Sequence, residues 1–202
     1  EIVDLLEKDA GVERVVLLVR RKPERSTASK TEVRVVDFRS PSSFGELEAD
    51  ALFSALGTTL KVAGSQAAQY EVDYTFQYEV AKAAKAGGVA TYSLCSSLSA
   101  DPKAFSFYPR IKGELERDTL ALGFERTRIV RPSFLVGDRP ESRPGEALGI
   151  AIAEKLGGLP VIGKYRPIRV NVVAAAMIKL AKDEAPGSKI LESHELFDFA
   201  PA

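Results

Sequence analysis

Tyr108 and Lys112 stand four residues apart in FSFYPRIKGELERD, residues 105–118, shortly after a strand-like run that closes on Ser96-Ser97. A phenol with an ordinary pKa of about 10 is a poor acid–base catalyst near neutral pH. An ammonium beside it stabilises the phenolate and brings the group toward the working range. A hydroxyl can hold a substrate carbonyl while hydride arrives from the other side. Spacing alone does not select the pair, because six Tyr and thirteen Lys in 202 residues give roughly 0.4 such pairs by chance. Tyr78 and Lys82 in QYEVAK repeat it. There, however, Tyr70, Tyr74 and Tyr78 recur at helical spacing, which reads as a packing stripe. Tyr108 instead follows the Ser-ended strand and a short polar connection, at the start of a helix that carries Lys112 one turn on and on the same face. The competing interpretation is a helix-start tyrosine beside a solvated lysine.

The elements that must position these groups alternate. VERVVLLVR (12–20), KTEVRVVDF (30–38), DALFSAL (50–56), VATYSLCSS (89–97) and RTRIVRPS (126–133) predict strands. IVDLLEK has helical spacing at Ile2, Leu5 and Leu6. A second helix is predicted from Ala67 to Ala86, stopped by Gly87-Gly88, and a third from Lys112 to Leu122, stopped by Gly123. Strands apolar nearly throughout suit a parallel sheet covered on both faces. The alternation therefore predicts a doubly wound, Rossmann-like α/β fold: one domain over 1–202 with a small carboxyl-terminal substrate-side region. There, a helix near 146–156, a strand at YRPIRVN, a helix from Val172 to Lys182 and a strand near KILES are expected. In such folds a first strand and glycine-rich turn precede the first helix. Here the sequence opens within what reads as that helix, and no G-x-x-G-x-x-G occurs. The expectation is that an amino-terminal piece of the natural protein is missing; the alternative is a true truncation that would compromise cofactor binding.

Composition narrows the class. A chain 45% hydrophobic and 28% charged has the balance of a soluble globular protein, and zero formal net charge supplies no field for nucleic acid or anionic membranes. No apolar run reaches the ~20 residues needed to cross a bilayer, and EIVDLLEKD is unlike a signal peptide. One Cys and one His leave no zinc set and no internal disulfide. Cys95 reads as a core thiol and His194 as structural. These features predict a cytoplasmic, metal-free domain.

Several segments together resemble the short-chain dehydrogenase/reductase superfamily, in particular the atypical branch containing the HIV Tat-interacting protein and its bacterial relatives. They are LLVRRKP, VVDF, LGTT followed by AG, AKAGG, SS before YPRIKGELE, and the long RPSFLVGDRPESRPGE. The resemblance spans nearly the whole chain and implies a nicotinamide dinucleotide cofactor. Arg20 and Arg21 close the VERVVLLVR strand, where an acidic residue would hold the ribose of NAD and Arg accommodates the 2′-phosphate of NADP. NADP(H) is thus expected over NAD(H); the alternative is a solvated strand end. Asp37 would lie near the adenine edge or cap its own turn. Leu56 and Gly57 would bring backbone close to the cofactor, Gly57 lacking a Cβ, or form a plain turn. Arg131, Pro132, Ser133 and Leu135 would border the nicotinamide. Arg143 is a looser cofactor or substrate contact, or a loop Arg held by Glu141 or Glu146. The Asn that many relatives place on the helix before the Ser strand is missing, since the only Asn is Asn171.

The first functional expectation is an NADP(H)-dependent oxidoreductase acting on a small carbonyl or alcohol. Tyr108 would be the proton donor/acceptor, Lys112 its partner, and Ser97 the holder of the substrate oxygen, with Ser96 as the alternate. The second is an NADPH-binding regulatory module whose partner is another protein or a second copy of the chain. The third is epimerase or dehydratase chemistry, ranked last because the region after residue 133 is short.

Overall fold

The computed structural model describes residues 1–24, 26–137 and 166–200. Its first helix, α1 (Ile2–Lys8), is followed by β1 (Val15–Val19) and β2 (Thr31–Val35), which pair in parallel with Val15 opposite Thr31. A four-stranded parallel sheet runs in the order β3 (Ala51–Ser54), β4 (Thr91–Cys95), β5 (Arg126–Arg131), β8 (Gly187–Glu192). The short strands β6 (Leu135–Val136) and β7 (Ile168–Arg169) pair separately. A strand leading into α1 would belong between β1 and β3 in this topology. That interval is where the two larger sheets part: among the described residues β1 pairs with β2 alone and β3 with β4 alone. Leu18 of β1 and Leu52 of β3 nevertheless pack against one cluster of Val36, Phe38, Phe44, Phe76 and Val80.

The crossover from β3 to β4 runs through α2 (Leu60–Ala63), α3 (Gln66–Tyr70), a π-helical segment (Glu71–Thr75) and α4 (Phe76–Ala86). The β4–β5 crossover is α5 (Phe107–Ala121), and α6 (Val170–Ala181) precedes β8. Neighbouring residues of β5 show the double winding. Ile129 packs with Ala81, Ala84 and Leu115 under α4 and α5, whereas Val130 packs with Val173, Ala176 and Met177 under α6. Successive strand side chains point to opposite faces, so an apolar run in β5 means helices on both. The predicted Rossmann-like fold is what forms.

Two differences from the predicted elements matter. Helix α5 starts at Phe107 rather than Lys112, because Pro109 falls in its first turn, where a backbone N–H has no intrahelical acceptor to lose. The predicted 67–86 helix is not uniform: Phe76 N–H reaches back five residues to the Glu71 carbonyl, widening one turn. The helix expected near 146–156 lies outside the described residues.

Arg128 on β5 was read only as part of a strand, yet it is 2% exposed. Its guanidinium donates to the carbonyls of Leu180 (3.1 Å), Gly187 (2.8 Å), Asp183 (2.8 Å) and Ala185. The end of α6 leaves carbonyls unpaired and carries the negative end of the helix dipole. A buried cation therefore ties the α6–β8 connection to the sheet through backbone carbonyls.

Candidate active site

Parallel strands bring their carboxyl ends to one edge, and most of the candidate residues follow those ends. Arg20 and Arg21 come directly after β1, Asp37 just after β2, Leu56 and Gly57 after β3, and Ser96 and Ser97 after β4. Leu135 lies in β6, beyond β5. Tyr108 stands in the first turn of α5 and Lys112 one turn on, its Nζ 6.0 Å from the centre of the Tyr108 ring. Lys82 lies as near the Tyr78 ring, at 5.5 Å, so burial rather than distance separates the two pairs. The solvated-lysine alternative fails, since Lys112 is only 2% exposed.

Burying that ammonium demands a counter-charge, and it comes from the π-helical segment. Asp73, 0% exposed, places Oδ1 3.3 Å from Lys112 Nζ. Its Oδ2 accepts the Thr58 N–H at 3.0 Å. Gln77 donates to the Asp73 carbonyl (2.7 Å) and accepts from Ser54 at the end of β3 (2.8 Å). Gln69 reaches the Thr58 carbonyl at 3.4 Å. A Cβ on Gly57 would lie 3.2 Å from Asp73 Oδ1, a tight contact, so the carboxylate packs closely against the glycine. Removing one partner of a buried ion pair strands the other charge, at about 3–5 kcal/mol. Sequence reading missed Asp73. The one available signal was an acid on the otherwise inward face of the crossover helix.

The serines are sorted by burial. Ser96 is 5% exposed, and its hydroxyl has no hydrogen-bond partner among the described residues. Ser97 is half-buried and only weakly engaged, 3.4 Å from the Leu98 carbonyl. Arg20 and Arg21 are exposed and pair with no other described residue. Asp37 is exposed; its carboxylate accepts the Arg39 N–H at 2.9 Å, closing its own turn as the second reading of it expected. Leu56 packs on the Phe38–Phe76 cluster, and Leu135 on the cluster under α6. Arg131 departs from expectation: it is clamped between Glu116 and Glu192, which raise its pKa, and so serves the α5–sheet contact. Arg143 lies outside the described residues. Tyr78 is a packing residue, stacked 5.7 Å from Tyr74, with Lys82 paired to Glu79. Cys95 is only partly buried, and His194 is exposed. Among the described residues no cluster of His, Cys, Asp or Glu could hold a metal ion.

Two shallow surface hollows lie away from this centre. One of about 610 Å³ is lined by Glu32, Arg34 and Phe44; one of about 360 Å³ by Lys22, Pro23, Thr27 and Val33, just past Arg21. Neither reaches Lys112, which is packed between α5 and the crossover helix.

No family model matches the chain. Protein FMP52-1, mitochondrial, of Scheffersomyces stipitis is 34% identical over 205 residues, covering 97% of this chain and 91% of that protein. Protein fmp52-1, mitochondrial, of Aspergillus oryzae is 40% identical over 143 residues, covering 68% of this chain and 61% of its own length. These names overturn the cytoplasmic expectation, which rested on composition and charge; neither property encodes an organelle address. Among solved structures, MoeE5 in complex with UDP-glucose and NAD has a TM-score of 0.64 at 18% identity, over 92% of this chain and 72% of that one. ADP-L-glycero-D-manno-heptose-6-epimerase of Helicobacter pylori gives 0.64 at 15%, over 95% and 72%. RMD from Pseudomonas aeruginosa complexed with NADPH gives 0.55 at 17%, over 83% and 71%. At such identities the likeness establishes the fold alone, a Rossmann-like fold shared with proteins that hold NAD or NADPH.

Proposed function

Since the chain belongs to the FMP52 family, we propose that it is a nicotinamide-dependent oxidoreductase that interconverts a small carbonyl and its alcohol. The observation that carries this reading is a buried lysine, with its own counter-charge, set beside a tyrosine at the carboxyl edge of the sheet. The edge residues fit a dinucleotide: exposed Arg20 and Arg21 for phosphate, and the bare Gly57 backbone for close approach. A bound nicotinamide would supply or accept the hydride. Ser97 would orient the substrate oxygen by a hydrogen bond. In the reducing direction Tyr108 Oη would give that oxygen a proton, and Lys112 would stabilise the phenolate left behind. In the oxidising direction the same phenolate would take the alcohol proton.

Two arginines in succession at the strand end suit a 2′-phosphate, so the Arg pair favours NADP(H), although neighbours such as MoeE5 were solved with NAD. Replacing both by Ala should weaken NADPH binding by tenfold or more, on the order of two lost charge-assisted contacts, and leave NADH binding nearly unchanged. Equal loss for both cofactors would refute the phosphate assignment. The relatives' names favour a mitochondrial site of action.

The decisive variant is Tyr108→Phe, which should lower turnover by about 10²–10⁴-fold with dinucleotide affinity intact. Full turnover in that variant would sink the proposal. A second reading draws on the epimerase among the structural neighbours. A sugar nucleotide that is epimerised with no net change in nicotinamide absorbance would select it over simple carbonyl reduction. Tight binding with no turnover across both substrate sets would instead favour a regulatory module.

A further inference from the structure

The Ser–Tyr–Lys reading leaves the buried carboxylate of Asp73 unused. That group touches two parts of the site at once, Lys112 Nζ at 3.3 Å and the Thr58 N–H at 3.0 Å, and it lies against Gly57. Its place is the widened turn of the crossover helix, between Gln69 and Gln77, which brace the same loop and the same turn. It lies on the helix that precedes the Ser strand, where the sequence offers no Asn for a relay. An amide there would be neutral, whereas Asp73 brings a charge. A carboxylate in contact with a buried ammonium fixes its position and balances its charge, at the expense of a buried ion pair.

We propose that Asp73 is the positioning residue of Lys112: its carboxylate is the counter-charge that holds the ammonium beside Tyr108 and locks it to the Gly57–Thr58 backbone on the cofactor edge. The proposal rests on the assignment of Tyr108 and Lys112 as the proton-transfer pair. The lock makes the loop after β3 and the base of α5 a single unit. Asp73 itself need not touch substrate or cofactor.

Asp73→Asn keeps the shape and an acceptor for Thr58 N–H but removes the charge. Without cofactor, thermal unfolding of Asp73→Asn, Lys112→Met and the double variant forms a cycle. Each single change should lower the midpoint by several degrees, and the double should lower it by clearly less than their sum. Titration followed by NADH and NADPH fluorescence should show binding to Asp73→Asn weakened at least about tenfold. With a substrate in hand, the pH at which turnover is half-maximal should move upward, because an ammonium no longer held beside Tyr108 stabilises its phenolate less. Additive midpoints, or a binding curve and pH profile that match the native protein, would overturn the proposal. If Asp73→Asn does not fold, Asp73→Glu keeps the charge but displaces the carboxylate. It should then weaken dinucleotide binding in the same direction, and unchanged binding would count against the lock. A native protein that binds neither dinucleotide would refute the functional reading itself, an outcome distinct from native binding that Asp73→Asn leaves untouched.

Discussion

Ser97 and Ser96 are neighbours in sequence but not in environment, and burial separates them. A hydroxyl that must meet a substrate oxygen has to be reachable, and Ser97 is, whereas Ser96 is packed under the loop. Ser97→Ala is expected to lower kcat/KM by about 10–10³-fold, as for loss of one hydrogen bond to a reacting oxygen. Ser96→Ala should change it little; the reverse pattern, measured on the same substrate, would exchange their roles. The same logic explains Tyr78. Its spacing to Lys82 copies that of the candidate pair, but the lysine is engaged by Glu79 on the solvent side of α4, so Tyr78→Phe should leave turnover unchanged.

Element geometry decides whether those side chains meet. Helix α5 carries Gly113 directly after Lys112, and a Cβ there would fall 2.2 Å from the Asp101 backbone. The loop from Ser97 to Ser106 therefore lies flat on the helix only because position 113 has no side chain. Gly113→Ala should destabilise the protein by about 1–3 kcal/mol, the usual penalty of overpacking, although alanine is the better helix former. It should also reduce turnover, since the loop that moves carries Ser97. A urea melt showing equal or greater stability would contradict this packing. On the other side of the sheet, Arg128→Met removes the guanidinium that donates to the carbonyls of Asp183, Ala185 and Gly187, while Leu180 keeps the Asp183 N–H. A loss of about 3 kcal/mol is expected, in the range for several buried acceptors left unpaired.

Across the whole molecule, acid tolerance follows from its carboxylates. Hydrogen bonds from Arg34 and then Arg14 lower Glu32 from an ordinary 4.5 to about 2. Lys182 lowers Asp9, joining α1 to the end of α6, and Arg117 lowers Asp118. A carboxylate depressed in the folded state stabilises it above the unfolded pKa, and that contribution disappears as pH falls through the folded value. The thermal midpoint should therefore decline between about pH 4.5 and 2, and added salt should flatten the decline because these pairs are largely exposed. A midpoint constant down to pH 2 would show that the pairs contribute nothing. Part of this map was readable beforehand. Strand–helix alternation, apolar strands and glycine stops predicted the double winding, and the context of Tyr108 separated it from Tyr78. Arg128 and Asp73 were not readable, since the groups that satisfy them lie 15 to 59 residues away.

What the sequence determined by itself was the class of fold and the candidate acid–base pair, because both depend on local periodicity and on residues one helical turn apart. Tertiary structure decided which groups surround that pair. It turned Lys112 from a surface charge into a buried one and supplied Asp73 as its counter-ion from another helix. It also packed that carboxylate closely against Gly57, and moved Arg131 from the nicotinamide edge to a brace between Glu116 and Glu192. Burial and counter-charge depend on chain segments distant in sequence, and only folding brings those segments together.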